Sequence, residues 1–165
     1  MLYDIKKYTK DLRLITKASH VAKIIQSIIR SENEIDKTKE HLFVIGLSPS
    51  YKIKYIELCS LGTIDTSLVN KREILVYAIK KNCPYLILAH NHPSNTISPS
   101  ERDVLTTMSI GIAADLLDIQ LIDHIIVTKE KYYSFSNSQL IFEYDRLLKK
   151  LDDFILLSST PFFKE

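Results

Sequence analysis

Residues 84–103 read PYLILAHNHPSNTISPSERD and contain the clearest indication of the fold. After the proline, the run from Tyr85 to Ala89 is apolar on both faces. Such a run is typical of a strand in the middle of a sheet that is covered on both sides. The strand leads directly into two histidines, and a polar loop and a helix start follow. The sequence therefore predicts a strand–loop–helix unit with polar chemistry at the end of a central strand.

His90 and His92 stand two positions apart at the end of this strand. Because side chains alternate along a strand, both imidazoles should point to one face, with Cα atoms about 6.5 Å apart. Asp103 lies one turn into the next helix, and Ser100 shares its face. Two histidines and a carboxylate leave a zinc position open, as catalytic zinc sites do. We therefore predict one Zn²⁺ per chain bound by these three residues, although iron or manganese also accepts such ligands.

Two serines compete to cap the helix that carries Asp103. Ser98 is followed by Pro99 and, three positions later, by Glu101, which matches a capping box, so we predict Ser98 as the N-cap. Ser100 is then available to the site, with a purely capping role as the alternative. The predicted core stripe of the helix consists of Leu105, Met108, Ile112 and Leu116.

Other apolar runs predict strands over 42–47, 52–58, 119–127 and 132–135, the first two paired as a hairpin. Helical spacing is found around 20–29 and 71–79 and again over 140–155, where it forms an amphipathic seam. Because coiled coils usually sustain three or four heptads, this two-heptad seam favours packing on its own domain over a homodimer.

The chain has 165 residues, a formal net charge of +2 and two cysteines, Cys59 and Cys83. This length fits one domain with a core of normal size. The weak charge argues against a dedicated nucleic-acid surface, although a local basic patch is compatible with it. Neither an apolar signal segment nor an apolar run of about 18 residues is present, and two isolated cysteines favour reduced thiols. We therefore expect a cytoplasmic protein without a membrane segment.

The run from Ala89 to Ser94, followed by Ser100 and Asp103 eight and eleven positions after His92, resembles the RadC-type JAB/JAMM (MPN-plus) metalloprotease domain. The resemblance covers about residues 16–136. It is supported by further matching pieces, at 72–74, 121–127 and 133–135. In this family a glutamate precedes the first strand, and Glu40 is the residue in that place.

The resemblance implies an α/β (α+β) fold like that of cytidine deaminases, with a mixed central sheet flanked by helices. It implies an N-terminal extension over 1–15, a RadC-like JAB/MPN domain over 16–136, and an amphipathic C-terminal helix and tail over 137–165. Glu40 would act as general base towards the metal-activated water, with a plain surface carboxylate as the alternative. Ser100 would stabilise the oxyanion. The reaction would be hydrolysis of a peptide or isopeptide bond in a protein or peptide substrate.

Two departures from the family pattern stand out. RadC-type domains usually have a glycine after the H-N-H-P-S run, where this chain has Asn95, a residue that tolerates left-handed backbone better than most. From its start we also expect the chain to lack the helix-hairpin-helix domain of full-length RadC proteins, which weakens a DNA role inferred from the family name. Separately, Asp123 and His124 lie within an apolar strand and need buried partners. Each either supports a metal ligand through a hydrogen bond or makes an internal structural bond.

Two other functions compete with a zinc-dependent hydrolase. One is a DNA-repair or mobile-element accessory protein that acts with nucleic acid, which rests only on the family's traditional label. The other is a catalytically silent JAB-fold binding module, against which the retained ligand set argues. An HNH nuclease is excluded, because those nucleases spread their three residues over a ββα unit, whereas residues 90–92 are consecutive.

Overall fold

The computed structural model describes residues 1–9, 14–62 and 70–138. The strands are β1 (Glu40–Leu47), β2 (Ile53–Gly62), β3 (Tyr85–Asn91), β4 (Gln120–Val127) and β5 (Tyr132–Ser134). The helices are α1 (Ile5–Thr9), α2 (Ala18–Ser31), α3 (Lys71–Lys80) and α4 (Glu101–Asp115), with a short 3₁₀ turn at Asp36–Thr38. The five predicted strands are confirmed. The amphipathic segment predicted over 140–155, with its dimer alternative, lies outside the described residues.

The strands form one mixed sheet in the order β2-β1-β3-β4-β5. Strand β1 is antiparallel to β2 and β3, β3 is parallel to β4, and β4 is antiparallel to β5. The predicted central strand is confirmed, because β3 lies in the middle of the sheet. Helix α4 connects the parallel strands β3 and β4 and begins beside the end of β3. Such a strand end beside a helix start is where α/β folds commonly place ligands.

Helices cover the sheet on both faces, which confirms the predicted α+β architecture. On one face α2 packs through Ile25 and Ile28, which are fully buried, against Phe43 and Ile45 of β1. On the other face α3 and α4 pack against β1 and β3. The residues of β3 alternate between these two cores, and Leu86 and Leu88 belong to the α3/α4 face. His90 continues that alternation and therefore lies on the α4 side of the sheet.

The predicted core stripe of α4 is wrong. Leu105 and Leu116 are 49% and 70% exposed. The buried residues of the helix are instead Asp103, Thr106, Thr107, Ile110, Gly111 and Ala114. The position of Asp103 explains the rotation, since residues three, four and seven positions later share its face. A helix that turns this aspartate towards β3 must turn the predicted stripe away from the sheet.

No helix in the described ranges is long and apolar enough to cross a membrane. The first residues of the chain add to the edge of the sheet. Leu2 forms an antiparallel bridge with Glu57 of β2, and the Tyr3 N–H donates to the Ile56 carbonyl over 2.9 Å. The predicted N-terminal extension therefore begins as a short strand-like segment against β2 and continues as α1.

Candidate metal centre

The site lies where β1 begins, β3 ends and α4 begins. Leu42 of β1 pairs with His90 of β3, and the His92 N–H continues the pairing towards β4 by donating to the Val127 carbonyl over 2.9 Å. Asp103, in the first turn of α4, approaches both histidines from the α4 side. His90 is fully buried, Asp103 is 4% exposed and His92 is partly buried. The sheet and one helix therefore bring the three predicted ligands together.

The ligand atoms of this trio lie at distances that suit a single ion. The two histidine Nε2 atoms are 2.9 Å apart. Asp103 Oδ1 is 3.1 Å from His90 Nε2, and Oδ2 is 3.4 Å from His92 Nε2. Tetrahedral zinc, with bonds of about 2.0–2.1 Å, requires its ligand atoms to be about 3.3 Å apart. This trio is the only group of at least three such side chains close enough to share an ion in the part of the chain that the structure describes.

The charges at the site also suit a cation. Burial alone would raise the pKa of Asp103, but hydrogen bonds from His90 and His92 outweigh it and hold that pKa well below its ordinary value. The hydrogen bond with Asp103 in turn raises the pKa of His92, against the effect of burial. The Thr96 carbonyl and the charge of Glu40 act in the same direction as Asp103. A buried carboxylate that keeps its charge therefore attracts positive charge to this point.

Asp103 is oriented by the helix cap. Ser100, with the extended backbone of an N-cap (φ −80°, ψ 164°), accepts a hydrogen bond from the Asp103 N–H over 3.2 Å. Its backbone N–H and its hydroxyl both donate to Asp103 Oδ2 over 2.7 Å. The prediction of Ser98 as the cap is wrong, because the capping box is formed by Ser100 and Asp103. The cap points the carboxylate towards the two histidines.

Glu40 is the first residue of β1, where the sequence predicted it just before the strand. It pairs with Gly62 of β2 on one side. On the other side, the antiparallel register of Leu42 with His90 puts Glu40 across from His92. Its charge also contributes to the raised pKa of His92, after the larger effect of the hydrogen bond with Asp103. Glu40 is half-buried and lies beside His92, the partly exposed member of the trio.

The model of the RadC-like JAB domain family matches residues 15–140, which is most of the chain. The chain belongs to this family. A UPF0758 protein of Chlorobaculum tepidum is 42% identical over 106 residues, which are 64% of this chain and 48% of the relative. A UPF0758 protein of Streptococcus uberis is 39% identical over 130 residues, 76% of this chain and 58% of the relative. This chain thus spans about half the length of the curated relatives it matches.

The loop of this RadC-like JAB domain between β3 and α4 accommodates the departure at Asn95. Asn95 has a left-handed backbone with φ 59°, and its N–H donates to the His92 carbonyl over 3.1 Å. Asparagine adopts this conformation more readily than most residues other than glycine. Next in the chain, the Thr96 carbonyl lies 2.6 Å from His92 Nδ1. The turn therefore keeps its shape and orients the second histidine.

The two candidate supporting residues of β4 have different roles. His124 Nε2 is 2.8 Å from His90 Nδ1, which is the contact with a metal ligand that the sequence left open. Asp123 instead accepts hydrogen bonds from the Ser134 hydroxyl, over 2.7 Å, and from the Ser136 N–H, over 3.0 Å. Asp123 therefore makes an internal structural bond to the segment after β4, away from the trio.

Sequence reasoning missed two residues at the site. Asn91 lies between the histidines, and its amide accepts from the His41 N–H over 2.7 Å and donates to the Lys39 carbonyl over 3.0 Å. It thereby holds the backbone on both sides of Glu40. Thr107 contacts His124 from α4. A polar residue that directly follows His90 was a visible signal for Asn91, whereas the contact of Thr107 depends on how α4 packs.

Proposed function

We propose that this RadC-like JAB domain is a zinc-dependent hydrolase that cleaves a peptide or isopeptide bond, acting in the cytoplasm on a protein or peptide substrate. The observation that carries the proposal is the convergence of His90 Nε2, His92 Nε2 and Asp103 on one point, with Glu40 beside His92. When bound, zinc supplies Lewis acidity that makes hydroxide available from water near neutral pH.

The roles of the surrounding groups follow from their positions. Glu40 accepts a proton from the attacking water and passes it to the leaving amine, which requires a carboxylate at the open side of the site. The Ser100 hydroxyl donates to the carbonyl oxygen of the substrate as negative charge develops there. The Ser100 N–H also donates to Asp103, so this ligand stays oriented when the hydroxyl turns to the substrate.

A cysteine nucleophile is the less favourable route. Burial raises the pKa of the Cys59 thiol to about 12 and also raises that of Cys83. Since the thiolate is the reactive form, both thiols are protonated and inert near neutral pH. This supports the metal-dependent route, in which water is the nucleophile.

Metal content and turnover test the proposal together. Purified protein should contain about one zinc ion per chain by mass spectrometry, and His92→Ala should lose it. Glu40→Gln should keep the zinc and lower turnover on fluorogenic peptides and lysine-linked isopeptides by roughly 10²–10⁴-fold. Glu34→Gln, which alters a carboxylate on an 89% exposed side chain, is the matched control and should change neither quantity. A protein that has all three ligands intact and yet shows no affinity for zinc would contradict the proposal.

The two alternative functions give different results in the same preparation. DNA binding that survives about 150 mM salt would favour the nucleic-acid accessory role. Zinc retention without turnover on any peptide or isopeptide would favour the silent binding module.

A further inference from the structure

A chain of buried polar contacts leads away from the metal centre behind His90. His90 Nδ1 lies 2.8 Å from His124 Nε2, and His124 Nδ1 lies 2.6 Å from the Thr107 hydroxyl oxygen. The Thr107 hydroxyl donates to the main-chain carbonyl of Asp103 over 2.6 Å. All four residues are at most 4% exposed. Three strongly shielded contacts therefore connect one ligand of the trio to the backbone of another.

The groups at the two ends of this series of contacts, the Asp103 carbonyl and His90, fix the direction of each hydrogen bond between them. The Asp103 carbonyl can only accept, so it takes the single proton of the Thr107 hydroxyl. Towards His124 the same hydroxyl must then act as acceptor, which requires a proton on His124 Nδ1. As a metal ligand, His90 offers the lone pair of Nε2 and carries its proton on Nδ1. His90 Nδ1 therefore donates to His124 Nε2, which acts as the acceptor.

We propose that Thr107 and His124 are positioning residues that fix His90 as the Nδ1–H tautomer and so present its Nε2 lone pair to the ion. The inference rests on the proposed function for the presence of the ion, whereas the contacts of His124 with His90 and Thr107 belong to the protein alone. Partners that fix the tautomer of a ligand histidine also fix its ring orientation and its basicity.

The second ligand supports this inference by achieving the same result directly. His92 Nδ1 lies 2.6 Å from the Thr96 carbonyl, which can only accept, so His92 carries its proton on Nδ1 as well. Both ligand rings thus have their Nδ1 protons directed at acceptors and their Nε2 atoms directed at the trio. For His90 the carbonyl that sets the direction belongs to Asp103, and two side chains transmit its effect.

Packing holds the intermediate ring in place. His124 stacks on Phe135, with ring centroids 4.9 Å apart and planes inclined by 17°. The Phe135 N–H also donates to the His124 carbonyl over 3.0 Å. A ring held between Phe135 and His90 keeps its two nitrogens directed at His90 and Thr107. The hydrogen-bonded relay from Asp103 through Thr107 and His124 to His90 therefore has one geometry.

The tautomers can be measured in metal-free wild-type protein, which requires no variant. Long-range ¹H–¹⁵N correlation spectra distinguish a protonated Nδ1 from a protonated Nε2 in each imidazole. We expect Nδ1 to be protonated in both His90 and His124. A proton on His124 Nε2 would reverse the relay and overturn the proposal.

Metal affinity provides a second, independent measurement. Thr107→Val removes the hydroxyl with little change of shape, and it should weaken zinc binding by roughly 10–100-fold in competition with a chelating indicator. Thr107→Ser restores the hydroxyl and should bind zinc within about threefold of wild type. The matched control is Thr106→Val, because the Thr106 hydroxyl is buried and has no hydrogen-bond partner among the described residues. Equal affinities for Thr107→Val and Thr106→Val would overturn the proposal.

A pair of variants at His124 covers the case in which Thr107→Val does not fold. His124→Gln can accept through its carbonyl and donate through its amide, whereas His124→Leu can do neither. We expect the glutamine variant to bind zinc at least tenfold more tightly than the leucine variant. Equal binding would contradict the relay. If wild-type protein shows the expected tautomers but binds no metal, the proposed function fails and the relay stands.

Discussion

The two ligand histidines are two positions apart in the sequence, yet they are held in different ways. His90 is fully buried, and its partners His124 and Thr107 come from β4 and α4; these three residues form the buried half of the site. His92 lies just past β3 and is oriented by the turn that contains Asn95 and Thr96; these three residues form the loop half. One half thus depends on tertiary packing and the other on a local turn.

This difference indicates that the buried half and the loop half have different roles at the site. The buried half is excluded from solvent and has one geometry, so it suits a fixed ligand. The loop half lies beside the half-buried Glu40, on the partly exposed side of the trio. A catalytic zinc site keeps one coordination position open, and under the proposed function that position would lie on the partly exposed side.

The largest expected effect is a difference in the free energy of unfolding between a variant of the buried half and a variant of the loop half. His90→Ala and His92→Ala should both abolish zinc retention. In metal-free protein, His90→Ala should lower the free energy of unfolding by about 2–4 kcal/mol, because it leaves a cavity and an unpaired Nε2 on His124. His92→Ala should lower it by less than about 1 kcal/mol. Denaturant unfolding with a chelator present measures both, and equal losses would break the comparison.

Asn91 tests whether Glu40 depends on its backbone supports. Asn91→Leu removes both amide hydrogen bonds, leaving the buried His41 N–H unpaired and the Lys39 carbonyl with only the His41 ring as partner. The free energy of unfolding should fall by about 1–3 kcal/mol. Turnover should fall more than zinc affinity, because Glu40 lies between these two supports.

The matched control for Asn91 is an exposed asparagine that also makes two hydrogen bonds. Asn33 contacts the side chain and the N–H of Asp36 through its amide. Asn33→Leu should change the free energy of unfolding by no more than about 0.5 kcal/mol. A zinc affinity that falls as far as turnover in Asn91→Leu would show that Asn91 supports the ligands rather than Glu40.

The loop half is tested at Asn95. Because its backbone is left-handed, Asn95→Val should destabilise the turn by about 1–2 kcal/mol and weaken zinc binding through His92. Asn95→Gly, which restores the residue usual in the family, should leave both quantities within error of wild type or improve them. Thermal unfolding measures the stability, and chelator competition measures the zinc affinity. If Asn95→Val changes neither quantity, the turn does not orient His92.

The smallest effect concerns Asp123, the neighbour of His124 that lies outside the trio. Burial raises its pKa in the folded protein, against the hydrogen bonds that it accepts. The folded state therefore holds this proton at pH values where the unfolded chain has lost it. Stability should rise as pH falls through the folded pKa, and it is fully gained below the unfolded value of about 3.9.

The asparagine variant isolates this contribution. Asp123→Asn cannot titrate, so the stability difference between wild type and variant should shift in favour of wild type as the pH is lowered from 7 to 4. Zinc affinity at pH 7 should not change, because Asp123 contacts Ser134 and Ser136 rather than the ligands. A loss of zinc binding would extend the buried half to include Asp123.

Much of this arrangement was predictable from sequence. The apolar run of β3 predicted a central strand, and the two-residue spacing predicted histidines on one face. The left-handed tolerance of Asn95 was also expected. By contrast, Ser98 and Ser100 both match a capping box, and local pattern alone favoured the wrong serine. Only the approach of Asp103 to the histidines decides between them, because the capping hydroxyl must reach the same carboxylate.

Local sequence pattern places His90 and His92 on one face of a strand, because a strand alternates with period two. It places Ser100 and Asp103 on one face of a helix, because a helix brings residues three or four apart together. The burial of Thr107 rather than Leu105 on α4, and the position of His124 behind His90, depend on tertiary packing. Along the chain, His124 is 17 positions from Thr107 and 34 positions from His90. Local geometry fixes which way neighbouring side chains point, whereas distant partners depend on which elements pack together.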